Sequence, residues 1–162
     1  MIFRNLSWED LKISHEAFEN MIAANQSSEY ATFISDLKQW AGGRYGKYDE
    51  GHIVIRDQKG TRYEINAYDS LTDEDIDPVE LYAYYLGIFI NNMHTGIYLD
   101  YLLSFPETFS LEVKKHLLSS FQKGIRRSLP ESILNDEEAK AAFRVRQGPS
   151  EPAAYAVCAL EQ

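Results

Sequence analysis

Apolar residues recur at helical spacing over the first forty residues and again after residue 77. Ser14 and Ser28 are predicted to cap two helices, and Gly42 is predicted to end the second one. The apolar positions of that second helix follow the i, i+3, i+4, i+7 pattern of one buried face: Tyr30, Phe33, Ile34, Leu37, Trp40 and Ala41. The pattern therefore predicts a helical N-terminal region.

The strongest helix start lies in the middle of the chain. Asp77 precedes Pro78, and Glu80 follows Asp77 by three positions, as in a capping box with proline at the first helical position. A wide apolar face then runs from Leu81 to Met93, and residues 97–104 are expected to resume a helix that Pro106 stops. Ser110 and Asp136 are predicted to cap two further helices.

Strand patterning appears in two places. Residues 52–68 alternate in polarity on both sides of the turn at Asp57–Gly60, which predicts an antiparallel hairpin. Near the C-terminus, FRVRQ and AAYAVCALE flank the turn GPSEP. We expect two strands there, with a loop and a tail helix as the alternative. The fold class expected is α+β: a helix-rich single domain over 1–162 with a small antiparallel sheet that includes the hairpin.

Composition and charge narrow the class of protein. The 162 residues are 44% hydrophobic and 25% charged and contain one cysteine, which is typical of a globular protein of a reducing, cytoplasmic setting. The net charge is −9, and it falls on residues 1–110, since residues 111–162 are close to neutral. We expect no nucleic-acid partner and no membrane partner, because both are anionic. Asn91, His94 and Asp100 also interrupt the apolar stretch that could suggest a membrane span.

The acidic run SLTDEDIDPVE is the most distinctive chemical feature of the sequence. Asp73, Asp75 and Asp77 copy the first liganding positions of an EF-hand loop, but Pro78 stands where that loop needs glycine and Tyr84 where it needs glutamate. No HExxH, CxxC, phosphate-binding glycine loop or nucleophile elbow occurs in the sequence. We therefore expect no metal, no cofactor and no catalytic residues.

Helix capping needs only one or two of these carboxylates, and five within eight residues repel one another. The surplus favours a surface that binds a basic protein. The residues assigned to this surface are Asp69, Asp73, Glu74, Asp75, Asp77 and Glu80, with Tyr48, Tyr68 and Tyr82 as anchors. A small acidic chain of this character resembles the bacterial immunity proteins, including those made alongside contact-dependent growth-inhibition toxins. The resemblance implies a binding protein that blocks a basic toxin domain, such as a nuclease.

Two other functions remain open. One is an enzyme of hydrolase type that uses carboxylates with His52 or His94. The other is an oligomeric structural or adaptor subunit whose apolar helices pack against a partner, which would place exposed apolar residues on the helix at 81–93. The basic residues Lys114, Lys115, Lys123, Arg126 and Arg127 complement a helix C-terminus, with pairing to the acidic run as an alternative. The sequence leaves the oligomeric state open.

Overall fold

The computed structural model describes residues 36–46, 49–56, 62–72, 75, 77–93 and 97–160, together with 19, 22 and 23. The chain separates into two compact units, Met1–Pro78 and Val79–Gln162. Six α-helices and four short β-strands lie in the described residues, so the predicted helix-rich α+β class is confirmed. The prediction that residues 1–162 fold as one domain stays a prediction.

The first unit contains a short helix and a hairpin. Helix α1 spans Leu37–Ala41, and strands β1 (Ile53–Arg56) and β2 (Arg62–Ile65) pair antiparallel with Ile53 opposite Ile65. Single 3₁₀ turns occur at Asp49–Gly51 and at Tyr68–Ser70. The predicted hairpin is therefore confirmed. Gly42 caps the end of α1 as predicted. The continuous helix predicted from Ser28 to Ala41 is wrong, because Asp36 has a φ of +59° and α1 begins only at Leu37. The helix starts predicted at Ser14 and Ser28 lie outside the described residues.

Trp40 organises the core of the first unit. It is completely buried, its ring lies 5.4 Å from that of Tyr68, and its indole N–H donates a 2.6 Å hydrogen bond to the carbonyl of Gly51. Gly51 has a φ of +82°, and a Cβ there would lie 2.6 Å from the ring of Tyr45. Only glycine fits this position, because it tolerates positive φ and leaves room for the tyrosine.

Among the described residues, most of the helical structure lies in the second unit. Its elements in chain order are α2 (Pro78–Met93, whose first residue closes the first unit), β3 (Asp100–Leu103), α3 (Leu111–Ser128), α4 (Glu131–Leu134), α5 (Glu137–Ala142), β4 (Arg144–Gln147) and α6 (Glu151–Leu160). Among the described residues, no helix has the length and apolarity needed to cross a membrane.

The predicted helix starts of this unit are confirmed. Helix α2 begins at Pro78. The Ser110 hydroxyl accepts a 3.2 Å hydrogen bond from the Val113 amide at the start of α3. A carboxylate oxygen of Asp136 accepts two, of 2.8 and 2.9 Å, from the first amides of α5. These side chains satisfy amides that the helices leave unpaired.

Small residues bring α2 and α3 close together. A Cβ on Gly124 of α3 would clash with the Glu80 carbonyl and would lie 2.7 Å from the Cβ of Ala83, both on α2. One turn further along, a Cβ on Gly87 of α2 would collide with the Ser128 side chain of α3. Ala83 and Ile125 are completely buried in this contact region. The two helices therefore approach closely enough for their backbones to touch.

Three expectations about the strands are wrong. Residues 97–104, predicted as helix, contain strand β3. The stretch AAYAVCALE was expected to form a strand, but its residues 153–160 lie in helix α6, the alternative considered for this tail. FRVRQ does contain strand β4. The second pair is also parallel rather than antiparallel, because β4 aligns with β3 from Asp100 opposite Arg144 to Leu103 opposite Gln147. The pairing joins segments too distant in sequence for local patterning to reveal.

Candidate partner-binding surface

The acidic segment, residues 69–77, begins where the chain leaves the core of the first unit. Ala67 and Tyr68 are buried, and the 3₁₀ turn at Tyr68–Ser70 carries the chain outward so that Asp69 and Ser70 are exposed. Tyr68 was predicted to anchor a partner, but it is only 2% exposed and packs against Trp40. Its role in the structure is to fix the start of the acidic segment.

Asp69 carries an exposed charge at the start of this segment. Its carboxylate accepts a 3.2 Å hydrogen bond from the hydroxyl of Ser70. No basic side chain of the described residues forms an ion pair with it. Burial raises the pKa of Tyr45, and the negative charge of Asp69 raises that pKa further. The charge of Asp69 is therefore left unneutralised by the part of the chain that the structure describes.

Asp75 is held by neutral donors. One carboxylate oxygen accepts 2.8 Å hydrogen bonds from both the amide and the hydroxyl of Thr72, and the other lies 3.4 Å from the side-chain nitrogen of Asn66. The backbone donor of Thr72, followed by its hydroxyl, lowers the pKa of Asp75. Because each donor favours the ionised form, Asp75 is fixed in position as a carboxylate.

The other predicted surface residues divide into two groups. Asp77 is half-buried directly before α2. Asp73, Glu74 and Tyr48 lie outside the described residues, so their assignment stays a prediction.

Glu80 belongs to the second unit and has a partner within it. Its carboxylate lies 2.8 Å from the Arg127 guanidinium of α3, and its side chain is only 15% exposed. This ion pair agrees with the alternative that basic residues of α3 pair with the acidic run, since Arg127 belongs to α3 and Glu80 to that run. Glu80 therefore helps to join α2 to α3 and is removed from the candidate surface.

Tyr82 is accessible, and its assignment as a partner anchor stays a prediction. It is 38% exposed and makes an edge contact with Phe121 of α3, with ring centres 6.2 Å apart. Phe89, two turns along the same helix, is 61% exposed. The exposed apolar residues expected of an adaptor subunit are thus present on α2 of the second unit.

The histidines give little support to the hydrolase alternative. His52 Nδ1 lies 3.8 Å from a carboxylate oxygen of Glu64 and has no hydrogen-bond partner among the residues that the structure describes. His94 lies outside the described residues. Across the described ranges, no three His, Cys, Asp or Glu side chains gather closely enough to hold a metal ion.

Sequence reasoning missed one charged cluster. Asp100 of β3 accepts hydrogen bonds from Arg144 at 3.0 Å and from Arg146 at 3.2 and 2.8 Å, both on β4. The hydrogen bond from Arg146 and the charges of both arginines lower the pKa of Asp100. Only the alternation Arg-x-Arg in FRVRQ hinted at it, since it places both side chains on one face of a strand.

Comparison of the chain with protein-family models, with curated proteins and with solved structures found no match. The functional conclusion therefore depends on the surface chemistry described above.

Proposed function

We propose that this protein binds and neutralises a basic protein partner through the acidic segment, in the manner of an immunity protein that blocks a toxin domain. The observation that carries the proposal is that the hydrogen bonds of the described residues to Asp75 come from neutral donors, those of Thr72 and Asn66. Such donors position the carboxylate and keep it ionised, but they do not cancel its charge.

Carboxylates that are ordered and ionised are well suited to binding the side chains of lysine and arginine. A carboxylate already ordered by its own chain loses little conformational freedom when a guanidinium or ammonium group approaches. Asp69 adds an exposed charge directly after Tyr68, which is buried and so restricts its position. A net charge of −9 on the whole chain would accelerate encounter with a basic protein.

The proposal is tested by the kinetics of partner binding. The partner would be isolated on the immobilised protein at low salt from the source organism, identified by mass spectrometry, and expressed separately for stopped-flow measurements. We expect the double variant Asp69→Asn/Asp75→Asn to slow association about threefold or more, because steering depends on the charge near the docking face.

A matched control separates local from global charge. Glu107→Gln/Glu112→Gln removes two exposed carboxylates of the second unit and changes the net charge by the same amount. If both double variants slow association equally, the acidic segment is not the docking face. If the captured protein is acidic, or if it binds regardless of salt, the proposed function is wrong.

The exposed apolar residues Tyr82 and Phe89 favour a second candidate, the adaptor subunit, whose partner would cover α2. In that case Phe89→Ser would abolish capture and Asp69→Asn/Asp75→Asn would leave it unchanged.

A further inference from the structure

The sheet of the second unit has an open edge on β3. Among the described residues the sheet has two strands, β3 and β4. The amide of Arg144 donates to the carbonyl of Leu99, and the amide of Gly148 donates to that of Leu103. Because backbone groups alternate direction along a strand, Leu99, Tyr101 and Leu103 face β4. The N–H and C=O groups of Asp100, Leu102 and Ser104 point away from it.

The outward residues of this edge are accessible and include an apolar side chain. Leu102 is 59% exposed, and Asp100 and Ser104 are also exposed. Ile97 and Tyr98, just before the strand, are exposed as well. None of the described residues hydrogen-bonds to the outward backbone groups of Asp100, Leu102 or Ser104. An exposed edge strand with apolar side chains is a template for pairing with another strand.

We propose that a second copy of this chain pairs with β3, antiparallel across a two-fold axis at Leu102. In this register Leu102 lies opposite its counterpart, and Asp100 lies opposite Ser104 of the other copy. The two apolar side chains meet, and no like charges are placed opposite each other. About six backbone hydrogen bonds would form, because three outward residues on each copy exchange both groups.

The rest of the sheet fits this arrangement. Arg144 and Arg146 of β4 already pair with Asp100, so its charge is compensated within the same copy when it enters the interface. A two-stranded sheet is marginal by itself, whereas the paired copies would share a four-stranded sheet with β4 at each outer edge. The edge is thus complementary to itself in hydrogen bonding, apolar contact and charge.

The test is sedimentation equilibrium of the full chain over roughly 1 µM to 1 mM, the range of weak interfaces. We expect a concentration-dependent dimer. Leu102→Glu should raise its dissociation constant at least about tenfold, because two carboxylates would then face each other at the axis. Leu111→Glu is the matched control, since Leu111 is 58% exposed, undergoes the same change, and belongs to helix α3 and not to strand β3. It should leave the dimer unchanged.

Amide hydrogen exchange identifies which residues form the interface. The amides of Asp100, Leu102 and Ser104 should become protected as the concentration rises, because only the second copy supplies their acceptors. A wild-type chain that stays monomeric throughout the range would overturn the proposal. So would a dimer that survives Leu102→Glu, or one in which these three amides stay unprotected. Pairing of the edge with another protein in place of a second copy would also show as a monomeric wild type.

Discussion

At the scale of single residues, Thr72 is the side chain that holds the Asp75 carboxylate of the acidic segment in place. Both of its donors reach the same oxygen of Asp75 at 2.8 Å. The acidic run was visible in the sequence, and the partner-binding surface inferred from it stays a prediction. The neutral residue that orders the run was not singled out, although the spacing T-x-x-D was available as a signal for a threonine–carboxylate turn.

Replacing Thr72 by valine should raise the pKa of Asp75 towards its ordinary value. The backbone donor, the largest cause of the lowered pKa, remains in Thr72→Val, so part of the effect persists. A carboxyl group whose folded pKa is depressed contributes stability above its unfolded pKa and loses that contribution as the pH falls through the folded pKa. The variant should therefore be less stable near pH 7, with a difference that shrinks on acidification.

Carbon-13 NMR titration of the Asp75 carboxyl, with urea unfolding near pH 7 and near pH 2, measures both effects. Thr108→Val is the control, because Thr108 is exposed and makes none of these hydrogen bonds. An Asp75 pKa that does not move in Thr72→Val would contradict the role given to the hydroxyl.

At the scale of elements, the predictions succeeded where local chemistry decides. The starts of α2, α3 and α5 and the hairpin β1–β2 follow from caps, proline and a short turn. They failed for residues 97–104 and for the described part of AAYAVCALE, residues 153–160, because apolar runs of this kind are compatible with both helix and strand. Residues 100–103 become a strand because residues 144–147 align with them. Because β4 pairs with β3, the alanine-rich tail does not serve as a strand partner. It forms a helix, the structure that its intrinsic propensity favours.

The close contact of α2 and α3 gives a sharp prediction for Gly124→Ala. In an open helix this change would stabilise by about 1 kcal/mol. Here the added methyl group meets the Glu80 carbonyl and Ala83, and overpacking of this kind costs about 1–3 kcal/mol. We expect a net loss of about 1 kcal/mol or more in the free energy of unfolding, measured by urea denaturation.

Gly148→Ala provides the comparison for that measurement. Its added Cβ would lie 3.4 Å from Leu102 Cβ, a contact that needs little movement of the Leu102 side chain. Its effect should be within about 0.5 kcal/mol, as for most substitutions away from a packed core. A stabilised Gly124→Ala would show that α2 and α3 can separate freely.

At the scale of the whole molecule, charge is distributed unevenly. Residues 1–78 carry 8 Lys and Arg against 15 Asp and Glu, whereas residues 79–162 carry 8 against 10. The unit with the acidic segment thus holds a net charge of −7 and the unit with the β3 edge a net charge of −2. This charge distribution is consistent with a basic protein as the partner of the first unit and a second copy of the same chain as the partner of the second unit.

Salt should therefore act on the two proposed associations with opposite sign. Two chains of net charge −9 repel each other, so screening should tighten self-association at β3. Binding of a basic protein to the acidic segment should weaken over the same range, mainly through slower association. Sedimentation and stopped-flow measurements from low to high sodium chloride test this directly. A common direction for both would mean that one of the two surfaces has been assigned the wrong kind of partner.

The parallel pairing of β3 with β4 also bears on how the chain is made. Asp100 and its partner Arg144 are 44 residues apart, so at about 5–20 residues per second β3 is synthesised roughly 2–9 s before β4. Strands β1 and β2, in contrast, pair between residues close in sequence, down to Arg56 opposite Arg62, and hairpins of this kind form in about 1–10 µs. During that interval β3 has two open edges instead of one. The stretch around Leu102 is then open to premature strand pairing on both of its edges.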